Sequence, residues 1–114
     1  MYVTSSVYIQ LGDLDFTWDS NKGVANLTKH GIAFEEAVTT WLDPFAIERF
    51  DEDHSSDQDR WLRIGTSMRG ALLVIWSTER PARGRTVIRI IGARRANRKE
   101  RKVYEQANEE DRRR

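Results

Sequence analysis

The residues in this chain best equipped for chemistry are its arginines, and they gather towards one end. Arg89 interrupts a β-branched run, Thr86-Val87-Ile88 and Ile90-Ile91, at a point where a strand calls for an apolar residue. A charge in mid-strand must meet water, a carboxylate or an anionic ligand. The guanidinium fork suits bidentate contact with phosphate oxygens, and it stays protonated at any physiological pH. Arg80 precedes this run, Arg94 and Arg95 follow it, and Arg60 and Arg63 stand on an earlier alternating stretch. If Arg60, Arg63, Arg80, Arg89 and Arg94 share an open sheet face or its rim, they form a cationic surface. Such a surface grips a phosphodiester backbone and stabilises the extra charge of a pentacoordinate phosphorane. Alternation groups Arg89 with Val87, Ile91 and Ala93, and it puts Arg94 on the opposite phase unless a bulge intervenes near Gly92. The competing use of these arginines is structural, as partners for the acidic stretch 51–59.

Proton-transfer groups are fewer. His54 sits among Asp51, Glu52, Asp53, Asp57 and Asp59, where neighbouring carboxylates tune an imidazole that already titrates near neutrality. The same stretch does not predict a metal site, because near-contiguous side chains point apart and no partner motif has metal-ligand spacing. Lys22, Asn26 and Lys29 fall on one helical face, with Val24 and Leu27 turned toward the core and His30 at the helix end. Trp18, Trp61, Trp76 and Tyr104 are candidates to stack unpaired bases, although the patterning assigns Trp41 and Trp76 to the core.

The elements that must position these groups are legible. Residues 15–18 read as a first strand, followed by a helix over 21–30 capped by Asp19 or Ser20 and ended by Gly31. Residues 34–42 carry the apolar helical spacing Phe34, Ala37, Val38, Trp41 and Leu42, stopped at Asp43-Pro44. Strands are predicted over 45–50, 60–68, 71–78 and 85–93, with turns at Arg69-Gly70 and over 81–84. Asn97 with Glu100 three positions later is a capping box opening a final helix, whose apolar stripe (Val103, Tyr104, Ala107) fits a rim rather than the core. The order β-α-α-β-β-β-β-α predicts an α+β domain: an antiparallel meander with two N-terminal helices and a C-terminal helix. Its expected extent is residues 15–109, with 110–114 a fraying tail. Residues 1–14 are either an edge strand or a loose extension.

Composition narrows the partners. At 114 residues the chain is one domain with a core of useful size. Residues 1–59 carry three basic and twelve acidic side chains (−9), residues 60–114 sixteen basic and six acidic (+10), which sum to the net +1. Arginine outnumbers lysine fifteen to four. This polarity fits either nucleic acid or an acidic half folded against a basic one. The absence of cysteine excludes disulfides and thiolate metal sites and suits a reducing cytoplasm. Neither a bilayer-spanning apolar run nor a signal-peptide pattern is present, so a cytoplasmic protein away from membranes is expected.

Read in order, the residues resemble a known family. Phe16-Thr17-Trp18-Asp19, Lys22, Asn26, Lys29-His30-Gly31-Ile32 and Phe34-Glu35-Glu36-Ala37 are similar to the opening of the BrnT toxins. Asp43-Pro44, Asp53-His54-Ser55, Arg60, Ile64-Gly65, residues 72–76, Arg80, the run from Arg89 to Ala96, Glu100 and Tyr104 continue the resemblance over residues 15–106. It implies a RelE-like α+β fold and a ribonuclease toxin of a type II toxin–antitoxin module. It also implies a ribbon-helix-helix, BrnA-like antitoxin as partner, with operator DNA engaged only through the toxin–antitoxin complex. The implied reaction is endoribonuclease cleavage by 2′-hydroxyl attack, with no metal and no cofactor. Carried onto this sequence, Arg80 and Arg89 stabilise the phosphate and transition state, His54 is the acid/base, and Lys22, His30 and Tyr104 are further catalytic candidates. Arg60, Arg63, Arg94, Arg95 and Lys29 are assigned to RNA binding. Asp57 stands where the family commonly has a glutamate. The rival expectation is a non-catalytic RNA- or partner-binding module that acts mainly as co-repressor with its antitoxin.

Overall fold

The computed structural model describes residues 5–54 and 59–112, except the side chains of His54, Asp111 and Arg112. Their backbone forms a mixed α+β domain built on a six-stranded sheet of order β1-β2-β6-β5-β4-β3. The strands are β1 (Ser6–Leu11), β2 (Leu14–Asp19), β3 (Ile47–Phe50), β4 (Arg60–Thr66), β5 (Leu72–Ala82) and β6 (Arg85–Arg95). The helices are α1 (Ser20–His30), α2 (Phe34–Val38) and α3 (Arg98–Arg112).

The meander expected from the second half is present: β3, β4, β5 and β6 pair antiparallel in sequence order. The expectation of a wholly antiparallel sheet is corrected, because β2 runs parallel to β6 with Leu14–Thr17 beside Thr86–Arg89. The chain leaves β2 through α1 and α2, crosses to the far edge, and returns strand by strand. The six residues Ser6–Leu11 hairpin onto the outer side of β2, the edge strand that is one of the two expectations for this segment.

Local chemistry sets the helix ends. Asp19 accepts from the backbone N–H groups of Asn21 and Lys22 and starts α1, while Gly31, at φ 72°, returns its N–H to the Leu27 carbonyl and ends it. The predicted burial of Val24 and Leu27 does not hold: they are 67 % and 51 % exposed. α1 docks instead through Asn26, whose Nδ2 donates to the Ile32 and Ala93 carbonyls at 2.8 Å each and whose Oδ1 accepts from the Ala93 N–H at 3.2 Å. The amide thus continues the ladder along β6 beyond the point where β2 has left it. Gly23 permits the close approach, since a Cβ there would lie 3.1 Å from Trp18 Nε1.

The helix predicted over 34–42 divides. Phe34, Ala37 and Val38 are buried in α2, then the chain tightens into a 3₁₀ turn at Thr39–Leu42. Thr39 and Thr40 hydroxyls bond the Glu36 and Ala37 carbonyls, a local competition with regular helix bonds. Trp41 still packs edge-on to Phe16 at 4.9 Å, whereas Leu42 is exposed. The core lies between these helices and one sheet face, with Phe16, Trp18, Ile32, Phe34, Leu73, Ile75, Ile88, Ile90 and Ala93 at its centre. α3 opens with the predicted capping box, Asn97 and Glu100 exchanging backbone-to-side-chain bonds of 2.8 Å. It is anchored by the Tyr104 hydroxyl donating to Asp43 Oδ2 at 2.8 Å.

Candidate nucleic-acid interface

The sheet face opposite α1 and α2 carries four of the five arginines expected to form a cationic surface, Arg60, Arg80, Arg89 and Arg94, and a bulge decides the last. Trp76 pairs with Gly92 but Ser77 pairs with Ile90, which leaves Ile91 as an extra residue on β6. The strand phase therefore inverts between Arg89 and Arg94. Arg89 opposes Thr78 and Arg94 opposes Val74, both on the open face, while Ile90 and Ala93 both reach the core. The bulge near Gly92 is the alternative that simple alternation leaves open.

Cross-strand register then assembles a polar row: Arg60 opposite Thr78, Thr78 opposite Arg89, Arg89 beside Thr17, and Thr17 opposite Tyr8. Arg80 lies one step along, opposite Val87. Thr17, Asp59, Thr78, Arg80, Val87 and Arg89 line a groove of about 350 Å³. Arg80 and Arg89 are exposed, and among the described residues neither forms an ion pair with a carboxylate. Glu79 also lines this groove; burial pushes its carboxyl up, the nearby Glu48 charge adds to this, and Arg63 opposes it.

A second groove, of about 310 Å³, brings together Lys22, Asn26, Lys29 and His30 of α1 with Trp76, Ile91 and Gly92. Trp76 also borders a hollow of about 560 Å³ under α3, with Leu62, Ile64, Val74 and Val103 as its apolar lining. Arg94 stacks over the Trp76 ring at 5.0 Å and is gripped by both Glu100 oxygens at 2.7 and 2.8 Å. The Glu100 bonds raise the Arg94 pKa, and the Arg94 bonds hold the Glu100 carboxyl below its ordinary value.

A family profile described as "Ribonuclease toxin, BrnT, of type II toxin-antitoxin system" matches residues 18–100, most of the chain. The chain belongs to the BrnT family. Its fold is similar to that in the crystal structure of the Brucella abortus ribonuclease toxin BrnT, with a TM-score of 0.50 at 21 % identity, covering 71 % of this chain and 94 % of that one. No curated protein matches the chain by sequence.

Within this BrnT-family chain, several predicted site residues lie away from the open face. Arg63 is on the helix side, 9 % exposed, over the Trp41 ring at 4.4 Å, paired with Glu48 and donating to the Thr40 carbonyl at 3.1 Å. Its expected place in the cationic surface is corrected: alternation separates the two faces of β4, yet the polar-looking face is the one that packs inward. Arg95 opposes Leu73, on the phase opposite Arg94. Tyr104 is committed to Asp43, and burial, followed by the neighbouring Asp43, raises its pKa. The His54 side chain and Asp57 lie outside the described residues. Sequence reasoning missed the exposure of Trp76, which the all-apolar look of its strand concealed, and the space left by Gly92. No helix among the described residues is long and apolar enough to cross a membrane.

Proposed function

We propose that this BrnT-family toxin is an endoribonuclease that cuts RNA laid along the open sheet face. The observation that carries this reading is the Arg60–Thr78–Arg89 row with Arg80 beside it, where Arg80 and Arg89 are unneutralised within the described structure. Two such guanidiniums fit a phosphodiester about to gain charge. In the proposed reaction the 2′-oxygen loses its proton to a base and attacks the adjacent phosphorus. The bond to the 5′-oxygen then breaks, and an acid protonates that leaving oxygen, giving a 2′,3′-cyclic phosphate and a 5′-hydroxyl. Arg80 and Arg89 hold the non-bridging oxygens, and no metal is required. His54, Lys22 and His30 are the proposed proton carriers, the last two drawn from the groove next to the arginine pair.

The rest of the reading follows the family. In this reading the fold is RelE-like, the toxin acts in the cytoplasm on translation, and a ribbon-helix-helix antitoxin covers it and carries it to operator DNA. The deciding experiment incubates purified toxin with RNA in EDTA and maps product ends. Cleavage to cyclic phosphate ends is expected. Tight RNA binding without any cleavage, with or without Mg²⁺, instead supports the non-catalytic co-repressor module.

A further inference from the structure

Gly92 has a feature its backbone does not explain. The glycines at Gly12, Gly31, Gly70 and Gly84 have positive φ, but Gly92 does not, so a side chain is conformationally permitted there. What glycine provides at this position is space. A Cβ would lie 3.8 Å from Trp76 Cε3 and 3.9 Å from Asn26 Oδ1, in ordinary contact with both, and a longer side chain would project into the groove, a slot between the indole and α1. One side of that slot is a half-buried tryptophan, and its rim carries Lys22, Lys29 and His30. Beyond the indole lies Arg94, stacked on the same ring and locked by Glu100. Arg94 holds the indole in place from that side, and an aromatic surface rimmed by lysines on the other is an arrangement that stacks a base and holds its flanking phosphates.

We infer that this slot receives one unpaired base of an RNA strand, stacked against Trp76 beside Gly92, with Lys22 and Lys29 on the neighbouring phosphates. The inference rests on the RNA reading above and narrows its substrate to single strands. A base within an A-form duplex is already stacked and paired, so it cannot enter without unpairing. The groove is shallow and open to solvent, so a base reaches the indole from the sheet surface. Trp76 and Thr78 are two residues apart on one face, about 7 Å along the strand. A base held on Trp76 thus places its own strand's phosphate near Arg89, and the slot fixes register relative to the arginine pair.

The test measures binding of a fluorescent 2′-O-methyl RNA oligonucleotide, which cannot be cut through its 2′-oxygen, both single-stranded and annealed to its complement. The single strand is expected to bind at least tenfold more tightly than the duplex. Gly92→Val, which changes no charge, should weaken single-strand binding on the order of 10- to 100-fold while leaving the salt dependence as it was. Lys22→Ala should instead lower the slope of log affinity against log salt by about 0.7. Trp76→Phe should retain most of the affinity, and Trp76→Leu should lose it. That pair decides the matter if thermal melting shows Gly92→Val to be unfolded. Equal affinity for duplex and single strand, or wild-type binding by a folded Gly92→Val and by Trp76→Leu, overturns the base slot. If wild type binds with the expected pattern but leaves ordinary RNA uncut in EDTA, the ribonuclease reading fails and the slot stands.

Discussion

Arg89 and Arg63 are both arginines in mid-strand, and their surroundings give them opposite roles. Arg89 is exposed and has no carboxylate partner among the described residues, so its removal leaves nothing buried unsatisfied. Arg89→Ala should cut the rate of RNA cleavage by about 100-fold, the scale of losing one donor to developing charge, with the melting temperature unchanged. Arg63 bridges Glu48, the Thr40 carbonyl and the Trp41 ring. Arg63→Ala should cost about 2 kcal/mol in urea denaturation while leaving the salt dependence of RNA binding intact. An Arg89 variant that unfolds, or an Arg63 variant that loses RNA binding while stable, would exchange the two assignments. Residue type alone marked both as candidates; burial separated them. The sequence also could not rank Trp76, since a central strand leaving one indole half-buried on an open face has the same apolar composition as a fully covered one.

At the scale of elements, α3 hangs on two carboxylates. Glu100 joins the cap of α3 to Arg94, and the bond from Arg94 lowers its pKa against the cost of burial. Burial pushes Asp43 up, but the Thr66 and Phe45 N–H groups, with the Tyr104 hydroxyl, outweigh it and bring the net value below ordinary. A carboxylate with a depressed folded pKa contributes stability that is complete above its unfolded pKa and is lost as pH falls through the folded value. Tyr104, raised in the fold, contributes below its ordinary value of 10.0 and loses that as pH rises. The attachment of α3 should therefore be firm near neutrality and loosen below about pH 4, within the carboxylate range. Asp43→Asn with Glu100→Gln should flatten the acid-side fall in melting temperature; an unchanged acid limb would show that other carboxylates govern it. The capping box and Gly31 were readable because both are local. The docking face of α1 was not, because its anchor is one amide bonded to a strand 67 residues away.

At the scale of the whole molecule, the charge asymmetry of the two halves serves two ends. Part of it is spent internally, since Arg63–Glu48 and Arg85–Asp15 each join the basic half to the acidic one. Another part, Arg80 and Arg89, lies exposed on the open face. The sheet depends on its first strand as well: Val7, Ile9 and Leu11 pack against the core beside β2. Deleting residues 1–12 should cost about 3 kcal/mol, roughly one per partly buried side chain, measured by chemical denaturation. A loss under about 0.5 kcal/mol would show β1 to be dispensable to the core, since such changes are typical of surface sites.

By itself the sequence determined the α+β class, the hairpins, the helix caps and the family, with Arg80 and Arg89 as the arginines to test. These depend on composition, short-range periodicity and hydrogen bonds within a few residues. Tertiary structure decided three other things: the parallel seating of β2 against β6, the inward face of β4, and the Ile91 bulge that brings Arg94 round to join Arg89. Each turns on contacts between residues far apart in the chain. One extra residue in one strand inverts every side chain beyond it, and only the pairing of β5 with β6 shows where that residue falls.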